Sequence, residues 1–468
     1  MSDNTMAGDI PQPIRRLETA LEQARAADDA QKAAETLLAL GKAYLESGNV
    51  PRALTQFEEG IELAEALPDD AAVEWAAQFW GYKGICLGRL GNSHFAQIAL
   101  YKAHNLAKEA GHKPLLVDTL LQLGSLLASS GKPEKAVNKF EQALSLALEC
   151  GDQVRAMHAA GRAATLFSAI EAHKKALEYF ALALEKAKAL GQVLAAAGYY
   201  LNLGNIYLAE NEAALAIEQF QRALDAASVG QEHPGERAAI TFAALTGLMR
   251  AHVADGQRQP ALLYGEHALR LAEENGDTAS QLTAIHMLAA ALLDWEEEGE
   301  ALAHLQRGLA LAREQDDWNW QLSLQAQAGF AAYCTGDNEQ ALTHYEQALE
   351  LAARLQDQIA EARLSGRLGA VYAEMGRLRE AVTAAEQALA WAENLQETGL
   401  LNDPGLLGEQ QILLAFTHND LQQRAAAAEY ARAAASSFAR AGDEAMQEKA
   451  QQLLATILEV GEQTTPVS

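Results

Sequence analysis

Apolar and small side chains recur along this chain every three or four residues, and the whole pattern returns about every forty. Gly131 to Leu144 displays the unit. An alanine marks each copy, at Ala53, Ala96, Ala136, Ala176, Ala216, Ala261, Ala301, Ala341, Ala381 and Ala426. The steps are 43, 40, 40, 40, 45, 40, 40, 40 and 45, so the period is 40 with three small insertions. Four residues after the alanine stand Phe57, Leu100, Phe140, Phe180, Phe220, Gly265, Leu305, Tyr345, Ala385 and Tyr430. Seven after it every residue is Ala or Gly, and one further on is usually a large aliphatic such as Ile61 or Leu144. Offsets of four, seven and eight share one helical face, with small residues for close approach and large ones to fill the seam.

A second helical pattern precedes the first. Twelve residues before the alanine, Gly41, Gly84, Gly124, Gly204, Gly329 and Gly369 recur, and Tyr44, Leu127, Tyr207 and Tyr372 follow three positions later. Five residues before the alanine, Gly48, Gly91, Gly131, Gly256, Gly336 and Gly376 mark a turn, with Asn211 the best non-glycine for positive φ. Each unit therefore predicts helix A, a glycine turn and helix B. Proline agrees: Pro51, Pro133 and Pro260 open B helices, Pro68, Pro114, Pro234 and Pro404 fall between repeats, and Pro11, Pro13 and Pro466 lie in the tails.

Leu203-Gly204-Asn205-Ile206-Tyr207 with Ala216 and Phe220, and Leu40-Gly41 with Tyr44, Ala53 and Phe57, resemble the tetratricopeptide repeat. The likeness runs from about 30 to 440. Two features depart from the family pattern: the leading Trp is mostly absent, and turns such as Gly151-Asp152 and Gly276-Asp277 replace the closing Pro. The 40-residue unit is similar to the longer-helix class of Leu-Gly-Asn repeat adaptors and bacterial sensor proteins. The resemblance implies an all-α fold, an α-solenoid of about ten helix-turn-helix units wound as a right-handed superhelix.

The expected organisation is an N-terminal tail and capping helix over 1–29, repeats one to five over 30–227, repeats six to nine over 228–396, repeat ten over 397–442, and a C-terminal cap and tail over 443–468. Ile14 to Ala27 turns Leu17, Leu21 and Ala24 inward, and Glu444 to Val460 does the same with Met446, Ala450, Leu453, Leu454 and Ile457. Thr464 to Ser468 should fray. The five-residue insertions near 228–236 and 397–405 are candidate hinges, and Gly265 should loosen the packing beside the first.

Composition narrows the function. The 468 residues are 49% apolar, ample for a folded interior, yet no run reaches the roughly 18–20 uncharged apolar residues of a membrane span. Met1 to Pro13 is polar and does not read as a secretory signal, so a cytoplasmic protein is expected. Cys86, Cys150 and Cys334 are odd in number and far apart, and are expected as small buried hydrophobes. With 63 acids against 36 bases the formal charge is −27, which disfavours nucleic acid and suits a basic partner segment.

No enzyme constellation stands out. The twelve histidines show no His-Glu-x-x-His; His304 and His344 occupy equivalent repeat positions and read as surface or seam residues. Neither a Gly-x-Ser-x-Gly elbow nor a phosphate loop occurs, and Asp294 with Glu296 to Glu298 reads as a solvated turn. No cofactor or metal is expected.

The resemblance implies a groove lined by helix A, into which the sixth and ninth repeat positions point when the recurring glycine is the eighth. The fifth repeat sets Asn202 and Asn205 there, the fourth Arg162 and the sixth Arg250. Amides satisfy an extended peptide backbone and Arg pairs a carboxylate. Arg363 and Arg367 of the ninth repeat match the basic pair of the family's carboxylate clamps, but Ala290, Ala326 and Gln327 stand where its Lys and Asn partners belong. The expectation is a non-catalytic scaffold or adaptor that holds a peptide or helix of a protein partner. The alternative is a sensor whose solenoid binds a small molecule or signalling peptide.

Overall fold

The computed structural model describes residues 12–65, 67, 70–229 and 233–463, and these form 22 α-helices without a strand. The first unit, Met1–Asp255, opens with the N-terminal capping helix α1 (Gln12–Ala26). Five A helices and five B helices alternate after it. They are α2 (Ala30–Glu46), α3 (Val50–Glu65), α4 (Asp70–Arg89), α5 (Ser93–Glu109), α6 (Lys113–Ser129) and α7 (Pro133–Glu149), followed by α8 (Gln153–Ala169), α9 (His173–Ala189), α10 (Val193–Ala209) and α11 (Ala213–Ser228). The A helix of repeat six, α12 (Pro234–Ala254), closes the unit.

The second unit, Gly256–Ser468, contains α13 (Arg258–Glu274), α14 (Thr278–Asp294), α15 (Glu298–Glu314), α16 (Trp318–Cys334) and α17 (Asn338–Leu355). It continues with α18 (Gln358–Glu374), α19 (Leu378–Glu397), α20 (Pro404–Asp420), α21 (Arg424–Ala441) and the capping helix α22 (Glu444–Gln463). Each unit is a helical-repeat solenoid. Pro68 and the tail residues before 12 and after 463 lie outside the described residues, as do 230–232 of the first insertion.

The expected turn chemistry is present. Gly131 at φ +69° ends α6; its N–H bonds Ala128 O and the next N–H bonds Leu127 O, so the last carbonyls of the helix are satisfied. Asn211, at φ +60°, repeats this without a glycine. The junctions between repeats explain the missing closing proline. A left-handed residue ends helix B, and the aspartate after it caps the next helix A: Asp152 accepts from Arg155 N, Asp277 from Ser280 N, Asp317 from Trp320 N and Asp357 from Ala360 N. Pro13, Pro114, Pro234 and Pro404 fall in first turns of helices, where no N–H is needed.

The marker alanines from Ala53 to Ala381 are all 0% exposed. The tenth repeat needs a correction. Ala427, not Ala426, is the fully buried residue there, with Ala431 and Ala434 at four and seven, and Tyr430 is only half-buried. Its large core side chain moves to Phe438, eleven residues on, where it lies against Gly408. The terminal helices bury Ile14, Leu21 and Ala24 in α1 and Ala450, Leu453 and Ile457 in α22, while Leu17, Met446 and Leu454 are half-buried. Cys86 is buried as expected, and burial pushes its thiol up to about 11. Cys150 and Cys334 are exposed, because they sit at the ends of α7 and α16, where the chain leaves the seam.

Candidate functional site: a polar groove on the A helices of the first unit

Within the first unit each A helix touches the next one, α2 with α4, α4 with α6, α6 with α8, α8 with α10 and α10 with α12, while the B helices pack mainly against A helices. The A side is therefore the closely stepped inner face. A cavity of about 480 Å³ opens on it across α2, α4, α6 and α8. Its polar lining includes Lys42, Gln78, Gln122, Asp118, His158 and Arg162, and its floor includes Gly81.

Repeat geometry explains this set. Gln78, Asp118 and His158 are the second residues of repeats two, three and four, Tyr82, Gln122 and Arg162 the sixth, and Lys42 the ninth of the first repeat. Of these residues Arg162 alone is among the groove residues expected from the sequence, which come from repeats four to six and nine. Extending the same columns upstream finds the others.

The charges are held in place by a ladder between A helices. Arg155, at the head of α8, forks onto Asp118 of α6, with Nε and Nη2 each 2.8 Å from a carboxylate oxygen, and its Nη1 reaches Asp152 at 2.7 Å. Bonding to Asp118 raises the Arg155 pKa, and the guanidinium is permanently charged. Arg162 donates to Ser125 Oγ on α6. Desolvation by the cavity walls, then the Arg162 charge, lowers the His158 pKa below the ordinary imidazole value. Gln122 Oε1 is buried without a hydrogen-bond partner, packed where a Cβ on Gly81 would come within 3.0 Å. An unpaired buried acceptor costs about 1–3 kcal/mol, which a ligand N–H would recover.

Further along the same face, Asn202 is half-buried and Asn205 exposed on α10, and Arg250 on α12 donates from Nη1 to Asn205 Oδ1 at 3.4 Å. These three therefore share one strip, with Arg162 on the adjoining A helix. They lie outside the cavity lining.

Arg363 and Arg367 lie in the second unit, in a separate cavity of about 450 Å³ between α18 and α20. Arg363 is 3.7 Å from Asp403, and Arg367 lies over the Phe330 ring at 5.6 Å. Glu409 lines the same cavity. Desolvation, then Asp403, raises its pKa against the opposing pull of Arg367 and Arg363. The corrected register of repeat ten makes Glu409 a second-position residue, equivalent to Arg363; the register through Ala426 hid it. Two acids thus face the two arginines, which does not make a simple carboxylate clamp.

Local charge differs from the overall charge. Between Lys83 and Lys188 fourteen Lys and Arg stand against nine Asp and Glu, so this stretch is +5 within a chain of −27. Among the described residues no cluster of three or more His, Cys, Asp or Glu could hold a metal, and no helix is long and apolar enough to cross a membrane.

Models described as tetratricopeptide repeat match residues 75–149, 197–228 and 320–394. Those three segments are tetratricopeptide repeats, and the helix pairs between and beside them repeat the same arrangement. No curated protein matches the sequence. Among solved structures, the apo form of the quorum sensor NprR from B. thuringiensis is similar over 78% of this chain and 100% of its own, at 13% identity and a TM-score of 0.52. BtubC from P. vanneervenii is similar over 49% of this chain and 92% of its own, at 22% identity and a TM-score of 0.45. Aspartyl phosphate phosphatase F from Bacillus subtilis is similar over 94% of this chain and 97% of its own, at 10% identity and a TM-score of 0.47. The NprR likeness is one of fold.

Proposed function

We propose that the protein is a non-catalytic scaffold that holds an extended peptide or helix of a protein partner along the A-helix face of its first unit. The observation that carries this reading is the continuity of polar side chains at the second, sixth and ninth positions. They run from Lys42 through Gln122, Arg162, Asn202 and Asn205 to Arg250. Successive A helices stand roughly 9–10 Å apart, a step that an extended peptide spans in about three residues. Amide and guanidinium groups at that interval match the donors and acceptors of a peptide backbone and its acidic side chains.

A sensor reading, in which the solenoid binds a small molecule or signalling peptide, draws on the fold likeness to a quorum sensor. An enclosed apolar pocket would favour it, but the cavity here is open and polar in its lining. Scaffolding is therefore the better fit. Affinity capture on the full chain, quantified by mass spectrometry, tests it. Proteins retained by the wild type should be depleted on an Arg162→Ala/Asn202→Ala/Asn205→Ala variant that melts like the wild type. Equal retention on both would reject the groove.

A further inference from the structure

The repeat supplies a reference against which one B helix is anomalous. One residue before the marker alanine, the third to fifth repeats carry Lys135, Lys175 and Leu215, and two residues after it Asn138, Glu178 and Glu218. Five residues after it stand Glu58, Glu141, Glu266, Glu346 and Glu386. These are outward columns, normally polar. In α5 the three positions are Phe95, Ile98 and Tyr101, exposed by 62%, 52% and 40%. No other described helix leaves more than two large apolar side chains exposed. Steps of three put the three residues on one ridge of the helix. Nothing in the repeat requires them, because the seam-facing residues of α5, Ala96, Ala99, Leu100 and Ala103, are already buried.

The ridge borders a cleft of about 400 Å³ between α5 and α7, lined by Tyr101 together with Lys132, Lys135 and Lys139. Glu134 is the one carboxylate in that lining. The cleft belongs to the basic stretch, and a second copy of the same ridge would bring lysine against lysine. Charge complementarity therefore selects a different occupant. We infer that the α5 ridge and the α5–α7 cleft form a second docking surface, on the B side and independent of the groove, for an amphipathic helix of a protein partner. Its apolar side chains would cover Phe95, Ile98 and Tyr101, and flanking Asp or Glu would meet the three lysines.

The test uses the full chain and a fluorescent helical peptide of about five turns, with Leu along one face and Glu flanking it, alongside a twin with Lys in place of Glu. The acidic peptide should bind and the Lys twin should not. Phe95→Ser/Ile98→Thr/Tyr101→Glu, which restores polar residues of the kind other repeats carry, should weaken binding about tenfold or more while the thermal melt is preserved. Lys132→Glu/Lys135→Glu should weaken it independently, and Arg162→Ala in the groove should leave it unchanged. The inference is overturned by no binding, by equal binding of both peptides, or by binding that survives the triple substitution. It is equally overturned if sedimentation shows self-association that the triple substitution abolishes, which would make a second copy the occupant.

Discussion

The Phe220 ring occupies the place where a side chain on Gly204 would begin: a β-carbon there would lie 2.7 Å from Cε1 of the ring. Gly247 on α12 meets the same ring from the next repeat, at 2.6 Å. Phe220 is 1% exposed, so the ring has no free space to move into. The pairing recurs sixteen residues apart in Gly41 with Phe57, Gly124 with Phe140 and Gly329 with Tyr345. Glycine inside a helix costs about 1 kcal/mol relative to alanine, and the repeat accepts that cost to seat a ring.

Two substitutions on one helix should therefore have opposite signs. Gly204→Ala should destabilise by about 1–3 kcal/mol, since the clash with a confined ring outweighs the gain in helix propensity. Gly198→Ala, also in α10 but with nothing within 4 Å of its would-be β-carbon, should stabilise by about 0.5–1 kcal/mol. Denaturant titrations of the two variants decide this; a shift of the same sign in both would refute the packing argument.

Removing a ring should open the array locally. Phe180→Ala leaves a cavity in the core shared by α8, α9 and α10, at an expected cost of about 3–5 kcal/mol. Neighbouring repeats couple only to each other, so hydrogen exchange should quicken first in these helices. Uniform loss of protection along the chain would count against it.

Acid should weaken the fold through histidine. Burial is the first cause that lowers the His104, His286 and His344 pKa values below the ordinary 6.5, aided by Lys139 and Lys108 at His104 and by Arg313 at His344. The unfolded chain then binds more protons than the folded one, so stability is full above about pH 7 and falls as pH drops through 6.5 toward the lowered folded values. Melts from pH 7.5 to 5.5 should show this fall, and His286→Gln should reduce its slope. An unchanged slope would remove His286 from the account.

Much of this architecture was legible because burial is periodic: the alanine column, the glycine turns and both caps follow from side-chain size and helical spacing. The tenth repeat slipped by one because Ala425 to Ala428 are four alanines in a row, which leave the marker ambiguous until packing chooses Ala427. Site residues were harder to read. Arg162, Asn202, Asn205 and Arg250 do lie along consecutive A helices, but the Arg155–Asp118 fork joins residues 37 apart and becomes visible only once the repeats are stacked. Net charge is an average of the same kind, since −27 over the chain conceals a +5 stretch between Lys83 and Lys188.

The most direct test of the groove is a calorimetric titration of a captured partner's purified binding segment against the full chain and its Asn202→Ala/Asn205→Ala variant. Asn205 also accepts from Arg250, so the double substitution removes both amides and releases the guanidinium. Affinity should fall by about 1–3 kcal/mol, as expected for lost hydrogen bonds to a peptide backbone. The thermal melt should barely change, because polar side chains at the groove surface contribute little to the core. Equal affinities with matching melts would contradict the account and move recognition away from this face.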